Sequence, residues 1–151
     1  MDRASPSLDG EGLRVGLVVG RFHRAIADTL VEGTRTALIG LGVSEGDVRL
    51  GWVAGAFELP LAAQAMAGTS DVDAVVCLGC VIRGETPHFD YVAAQTASGI
   101  MRVGLDTGVP TIFGVLTTDT FEQAVERAKI KGADCAEAAV ELARLMKSLR
   151  G

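Results

Sequence analysis

The sequence predicts a three-layer α/β/α sandwich built on a four-stranded parallel sheet. Three observations point there. Apolar runs alternate with stretches of helical spacing along the chain, strand then helix. The apolar runs are nearly continuous rather than alternating with polar residues, which is how strands covered on both faces read. The 151 residues, 48% of them hydrophobic, suffice for one domain with a real core but not for two.

The elements follow in order. Residues 13–19 are a short apolar run, a candidate buried strand. Residues 25–41 follow as a helix, with Ile26, Leu30, Gly33, Ala37 and Leu41 on one face and Gly40 and Gly42 suited to its end. Residues 48–53 are the next strand. Gly55-Ala56 then breaks the pattern, and 57–67 reads as helix with Pro60 in its first turn. Residues 74–82 are the clearest buried strand. From His88 to about residue 105, Phe89, Val92, Thr96, Ile100 and Met101 keep helical spacing. Val109-Pro110 introduces a fourth strand at 111–116, and 121–130 and 134–149 are two further helical stretches or one bent helix. Right-handed crossovers between such strands give a flavodoxin-like arrangement. Residues 1–12 are expected to form a flexible segment ahead of one domain over 13–151.

Composition excludes several function classes. A net charge of −5 argues against a general nucleic-acid binder, which carries a basic face. No apolar run reaches the roughly 18 residues of a membrane span. Residues 1–12 are polar with no apolar signal core, so the expected location is the cytoplasm. Cys77 and Cys80 have C-x-x-C spacing, but no second pair or matching histidines follow, as a zinc ribbon would need. A redox pair opens a helix, whereas these two lie in the apolar strand. With Cys135 they read as small, reduced, buried residues. The glycines make neither a nucleotide-phosphate loop nor G-x-G-x-x-G, and no G-x-S-x-G elbow occurs. With only two histidines there is no metal-ligand cluster, so metal-free chemistry without a cofactor is expected.

In parallel sheets ligands bind beyond the carboxyl ends of the strands. That points to four loops, at 20–24, 54–60, 83–88 and 117–120. The third reads Val81-Ile82-Arg83-Gly84-Glu85-Thr86-Pro87-His88-Phe89-Asp90-Tyr91. Thr86 suits an N-cap and Pro87 the first helical position, so a helix starts there with its positive dipole end toward the ligand side. Gly84 allows close approach, which makes the loop an anion site suited to phosphate. His88, in the first turn, can take and give a proton. A surface loop with a capping histidine is the competing reading. In the second loop Glu58 could accept hydrogen bonds from polyol hydroxyls, or simply favour the helix dipole. In the first, Phe22 could stack on a flat heterocycle or close the core. His23 could be catalytic, or a cap or surface group. Arg127 and Lys131, four apart, could hold phosphate or belong to a solvated face with Glu122 and Glu126 for ion pairs.

These segments resemble the 6,7-dimethyl-8-ribityllumazine synthase family from about residue 13 to 149. The strongest match is the 81–91 segment above. Gly55-Ala56-Phe57-Glu58-Leu59-Pro60, Arg21-Phe22-His23, Phe113-Gly114-Val115-Leu116-Thr117-Thr118, and 122–128 match in order and spacing. The resemblance implies a condensation of 5-amino-6-(ribitylamino)uracil with 3,4-dihydroxy-2-butanone 4-phosphate, the penultimate step of riboflavin biosynthesis. Residue by residue, it assigns the pyrimidine-stacking face to Phe22 and the ribityl contacts to Ala56, Phe57 and Glu58. The pyrimidine edge falls to the backbone around Val81 and Ile82, and the phosphate to Gly84, Glu85, Thr86 and the Arg127 guanidinium. Proton transfer falls to His88. It further implies a site shared between subunits, with Phe113, Arg127 and Lys131 contributed by the neighbour. A pentamer or pentamer-based assembly follows, sometimes a hollow shell, with riboflavin synthase as a candidate partner.

The chain departs from that family in two places. The segment Arg127-Ala128-Lys129-Ile130-Lys131-Gly132 runs straight on and is about four residues shorter than the bend by which pentamers pack in shells. His23 stands where many members have asparagine. Two other readings of the same fold are a flavin or lumazine carrier without catalysis, and a natural or engineered assembly scaffold.

Overall fold

A computed structural model describes residues 1, 3–4, 7–69 and 71–151. Among them the alternation resolves into β1 (Val15–Gly20), α1 (Arg24–Gly40), β2 (Val48–Val53), α2 (Leu59–Ala67), β3 (Ala74–Ile82), α3 (His88–Thr107), β4 (Thr111–Thr118) and α4 (Phe121–Arg150). The strands pair in parallel in the order β2-β1-β3-β4. With helices on both sides, this is the flavodoxin-like α/β sandwich that the sequence predicts.

Side chains of a strand alternate between faces, and here both faces are covered. Val15, Leu17 and Val19 of β1 and Ala74, Val76 and Leu78 of β3 join one core with Leu30, Leu38, Ala136 and Val140. Val18, Val75 and Cys77 join the other with Leu59, Ala63, Ile100 and Val103. Accordingly α1 packs against α4 on one side and α2 against α3 on the other.

The helices differ from the sequence reading in detail. The buried stripe of α1 is Ile26, Ala27, Leu30, Thr34 and Leu38, while Gly33, Ala37 and Leu41 are half-buried. Thr34 can occupy the core because its hydroxyl donates to the Leu30 carbonyl at 2.7 Å, which a count of apolar residues misses. On α3 the inward position belongs to Val103, and Met101 is 65% exposed. The helix read from residue 57 begins as a 3-10 turn, Ala56–Glu58, before α2 proper.

The two C-terminal stretches are one uninterrupted helix of 30 residues. It opens on a capping box: the Thr120 hydroxyl accepts the Gln123 amide at 3.1 Å, and the Gln123 side chain accepts the Thr120 amide at 3.2 Å. Gly132 is no helix break. A Cβ there would stand 2.7 Å from both the Leu30 oxygen and the Thr34 nitrogen, so glycine lets α1 and α4 touch. Ahead of β1, the carbonyls of Asp9 and Glu11 accept from the Arg144 guanidinium, and the Gly10 amide donates to Leu41.

Cys77 and Cys135 are buried and Cys80 half-buried, all as free thiols. Burial pushes the Cys77 thiol up to about 12, and the Cys80 and Cys135 thiols up to about 11. Among the described residues no helix is long and apolar enough to cross a membrane.

Candidate active site

The loops after β1, β2 and β3 close on a groove of about 710 Å³ at the carboxyl end of the sheet. The first two loops meet at Gly20, where a Cβ would come within 3.0 Å of the Gly55 carbonyl carbon. Phe22 and His23 form one wall, and Gly55, Ala56, Phe57 and Glu58 the next. The end of β3 supplies Cys80, Val81 and Ile82, and α3 supplies His88, Tyr91, Val92 and Gln95.

Phe22 does not close the core: its ring is 79% exposed, so a flat molecule can lie on it. Glu58 is exposed at the start of α2, in the turn held by its amide donating to the Gly55 carbonyl at 3.2 Å. His88 is exposed on the first turn of α3. That helix begins one residue later than the sequence reading, with Pro87 at the cap position. Thr86 still serves its start, since its hydroxyl accepts the His88 amide at 3.4 Å. Gly84, Glu85 and Thr86 are exposed in the loop joining Ile82 to His88, and among the described residues their amides have no internal acceptor. Free amides at a helix start attract anions.

Arg83 holds this loop in place. Its Nε donates to Asp119 at 3.0 Å, its Nη1 to Asp90 at 3.3 Å, and its guanidinium lies 4.3 Å over the Phe89 ring. The loop is thereby tied to the end of β4 and to the first turn of α3.

Seven of the sequence-predicted residues therefore share one groove: Phe22, Ala56, Phe57, Glu58, Val81, Ile82 and His88. Phe113, Arg127 and Lys131 form no part of its wall. Phe113, on the sheet edge, lines a separate apolar hollow of about 440 Å³ with Met101, Leu105, Leu142 and Met146. Arg127 is exposed and Lys131 half-buried on α4. Glu126, an expected partner of Arg127, instead pairs with Lys129 at 2.9 Å.

Sequence reasoning assigned no role here to Cys80, Tyr91, Val92 or Gln95. For α3 a signal was present: 88, 91, 92 and 95 follow the i, i+3, i+4, i+7 spacing of one helical face. Following that face from His88 finds them.

The groove offers a stacking ring, a carboxylate and two imidazoles; Gly84, Glu85 and Thr86 are not in its wall, and their open amides lie in the loop leading to His88. The groove can hold a flat heterocycle with a polar chain and move protons beside an anion. Among the described residues, no three His, Cys, Asp or Glu side chains gather as a metal site would need. A family model described as 6,7-dimethyl-8-ribityllumazine synthase matches residues 12–147.

Proposed function

Since the chain belongs to the 6,7-dimethyl-8-ribityllumazine synthase family, an enzyme family of riboflavin biosynthesis, we propose that it condenses 5-amino-6-(D-ribitylamino)uracil with 3,4-dihydroxy-2-butanone 4-phosphate. The product is 6,7-dimethyl-8-ribityllumazine. The observation that carries this reading is one groove presenting the exposed Phe22 ring, His88 and the adjoining run of open amides. Phe22 stacks the pyrimidine, the Val81 and Ile82 backbone meets its edge, and Ala56, Phe57 and Glu58 hold the ribityl chain. Gly84, Glu85 and Thr86 cradle the phosphate through their amides. The amine nitrogen attacks the ketone carbon, and water leaves to form the imine. Phosphate is eliminated, and ring closure expels a second water. His88, one turn from the cradle, takes and returns the protons these steps move. Holding two reactants in register supplies up to about 7–11 kcal/mol of the barrier reduction.

The phosphate cradle is incomplete within one chain. Arg127, Lys131 and Phe113 are supplied by a neighbouring copy, and the protein works as a ring of five. The uninterrupted α4, without the longer bend, supports a pentamer or a differently packed assembly over the standard shell. Riboflavin synthase, which would consume the product, is the candidate partner, and the cytoplasm the proposed location.

Absorbance of lumazine on mixing both substrates, with light-scattering mass on the same sample, tests this. Turnover by a pentamer or a multiple of it is expected. Flavin or lumazine binding without turnover would make the chain a carrier, and an inert assembly would make it a scaffold. A monomer with full activity would overturn the shared site.

A further inference from the structure

The chain has two histidines, and both line the groove. His88 has a role in the reading above and His23 has none. His23 stands at the N-cap of α1, where a side chain commonly accepts a backbone amide, yet its imidazole makes no such bond. The capping role weighed from the sequence is therefore absent. Among the described residues the imidazole has no hydrogen bond and no ion pair; its contact is with the Phe22 ring, 4.9 Å between centroids at 89°. A half-buried imidazole without an internal partner thus borders the groove beside its exposed aromatic.

We propose that His23 determines specificity for the heterocycle, its imidazole accepting a hydrogen bond from an N–H on the rim of the ring that lies on Phe22. This rests on the groove being the pyrimidine site. A ring perpendicular to Phe22 is perpendicular also to anything lying flat on Phe22, so it does not compete to stack. Neutral imidazole has one acceptor nitrogen, and imidazolium has none. Partial burial holds the His23 pKa below its usual 6.5, so the accepting form prevails at neutral pH. The titratable groups facing it across the groove are Glu58 from the turn after β2, Cys80 from β3, and His88 and Tyr91 from α3. Arg21 and Arg24 flank it in sequence. Arg24 is turned onto Trp52, 4.1 Å from its ring, and onto Asp28 at 3.0 Å. Protonation converts the acceptor to a donor, so pyrimidine affinity falls as pH drops through the His23 pKa.

The test titrates 5-amino-6-(ribitylamino)uracil alone, with no ketone present, against the intact oligomer between about pH 8 and pH 5. Wild-type affinity should weaken toward the acid end. His23→Ala should bind about two- to tenfold more weakly at the alkaline end and lose that pH dependence. His23→Asn, whose amide oxygen accepts without titrating, should restore affinity with a flat profile, which a purely structural role would not produce. In the wild-type protein the His23 ring proton should report a pKa that the pyrimidine lowers further, a readout independent of how the variants fold. An unmoved His23 resonance, or variants that keep the wild-type profile in a protein that makes lumazine, overturns the His23 role alone. A wild-type protein that binds no pyrimidine overturns the reading of the groove as well.

Discussion

Gly33 and Gly132 face each other where α1 meets α4, and replacing each by alanine should move stability in opposite directions. Both lie inside helices, so each gains about 1 kcal/mol of helix propensity as alanine. The steric term separates them. A Cβ on Gly33 would rest 3.6 Å from the Gly132 Cα and 3.9 Å from the Ala133 nitrogen, which is ordinary contact. A Cβ on Gly132 would stand 2.7 Å from the Leu30 oxygen and Thr34 nitrogen and 3.0 Å from the Gly33 carbonyl carbon. All three are backbone atoms, so no side chain can rotate away. The helices must part by about 0.7 Å, and overpacking of this kind costs about 1–3 kcal/mol. With rigid backbone on the other side, the upper end applies. Gly132→Ala should then lose about 2 kcal/mol net, while Gly33→Ala gains up to about 1 kcal/mol. At this chain length the two midpoints should separate by about 6–12 °C. Thermal unfolding followed by circular dichroism, at one fixed protein concentration because association shifts the midpoint, reads both. A Gly132→Ala protein as stable as wild type, or a Gly33→Ala protein equally damaged, would refute the contact.

Four other outcomes are expected. His88→Ala should slow turnover by up to about a hundredfold while secondary structure and oligomer mass survive, and an unchanged kcat removes His88 from proton transfer. Arg127→Ala should raise KM for the butanone phosphate by about tenfold or more and leave pyrimidine binding nearly unchanged; equal losses for both would deny it the phosphate. Arg83→Ala should barely change stability, because its ion pairs are exposed, yet lower kcat through release of the His88 loop. Stability should decline as pH climbs from 9 toward 11–12, since the unfolded thiols ionise while burial keeps Cys77 neutral to about 12 and Cys80 and Cys135 to about 11. Cys77→Ala should flatten that decline, which pH-dependent unfolding curves will show.

Much of this was readable from residue order. The strand at Ala74–Ile82 coincides with its apolar run, because a strand covered on both faces has no polar side to blur its ends; the edge strand Val48–Val53 was also placed, though Arg49 and Leu50 in it are exposed. The helix after β3 was marked by Thr86, Pro87 and His88, displaced by one residue. Thr34 and Gly132 escaped the sequence reading for one reason: a hydroxyl bonded to its own helix and a glycine pressed on another helix both occupy the core without looking apolar.

Sequence by itself determined the alternation of strands and helices, the placing of Phe22, Glu58 and His88 at the junctions that follow strands, and the family. Those are local matters of periodicity, turn chemistry and motif. Tertiary structure alone decided the order β2-β1-β3-β4, which brings the loops after β1, β2 and β3 around one groove and leaves Phe113, Arg127 and Lys131 outside it. It also decided that α4 runs unbroken and that the His23 ring turns from its helix toward Phe22. A periodic pattern reports which face of an element is buried; which neighbour buries it depends on contacts between residues far apart in the chain.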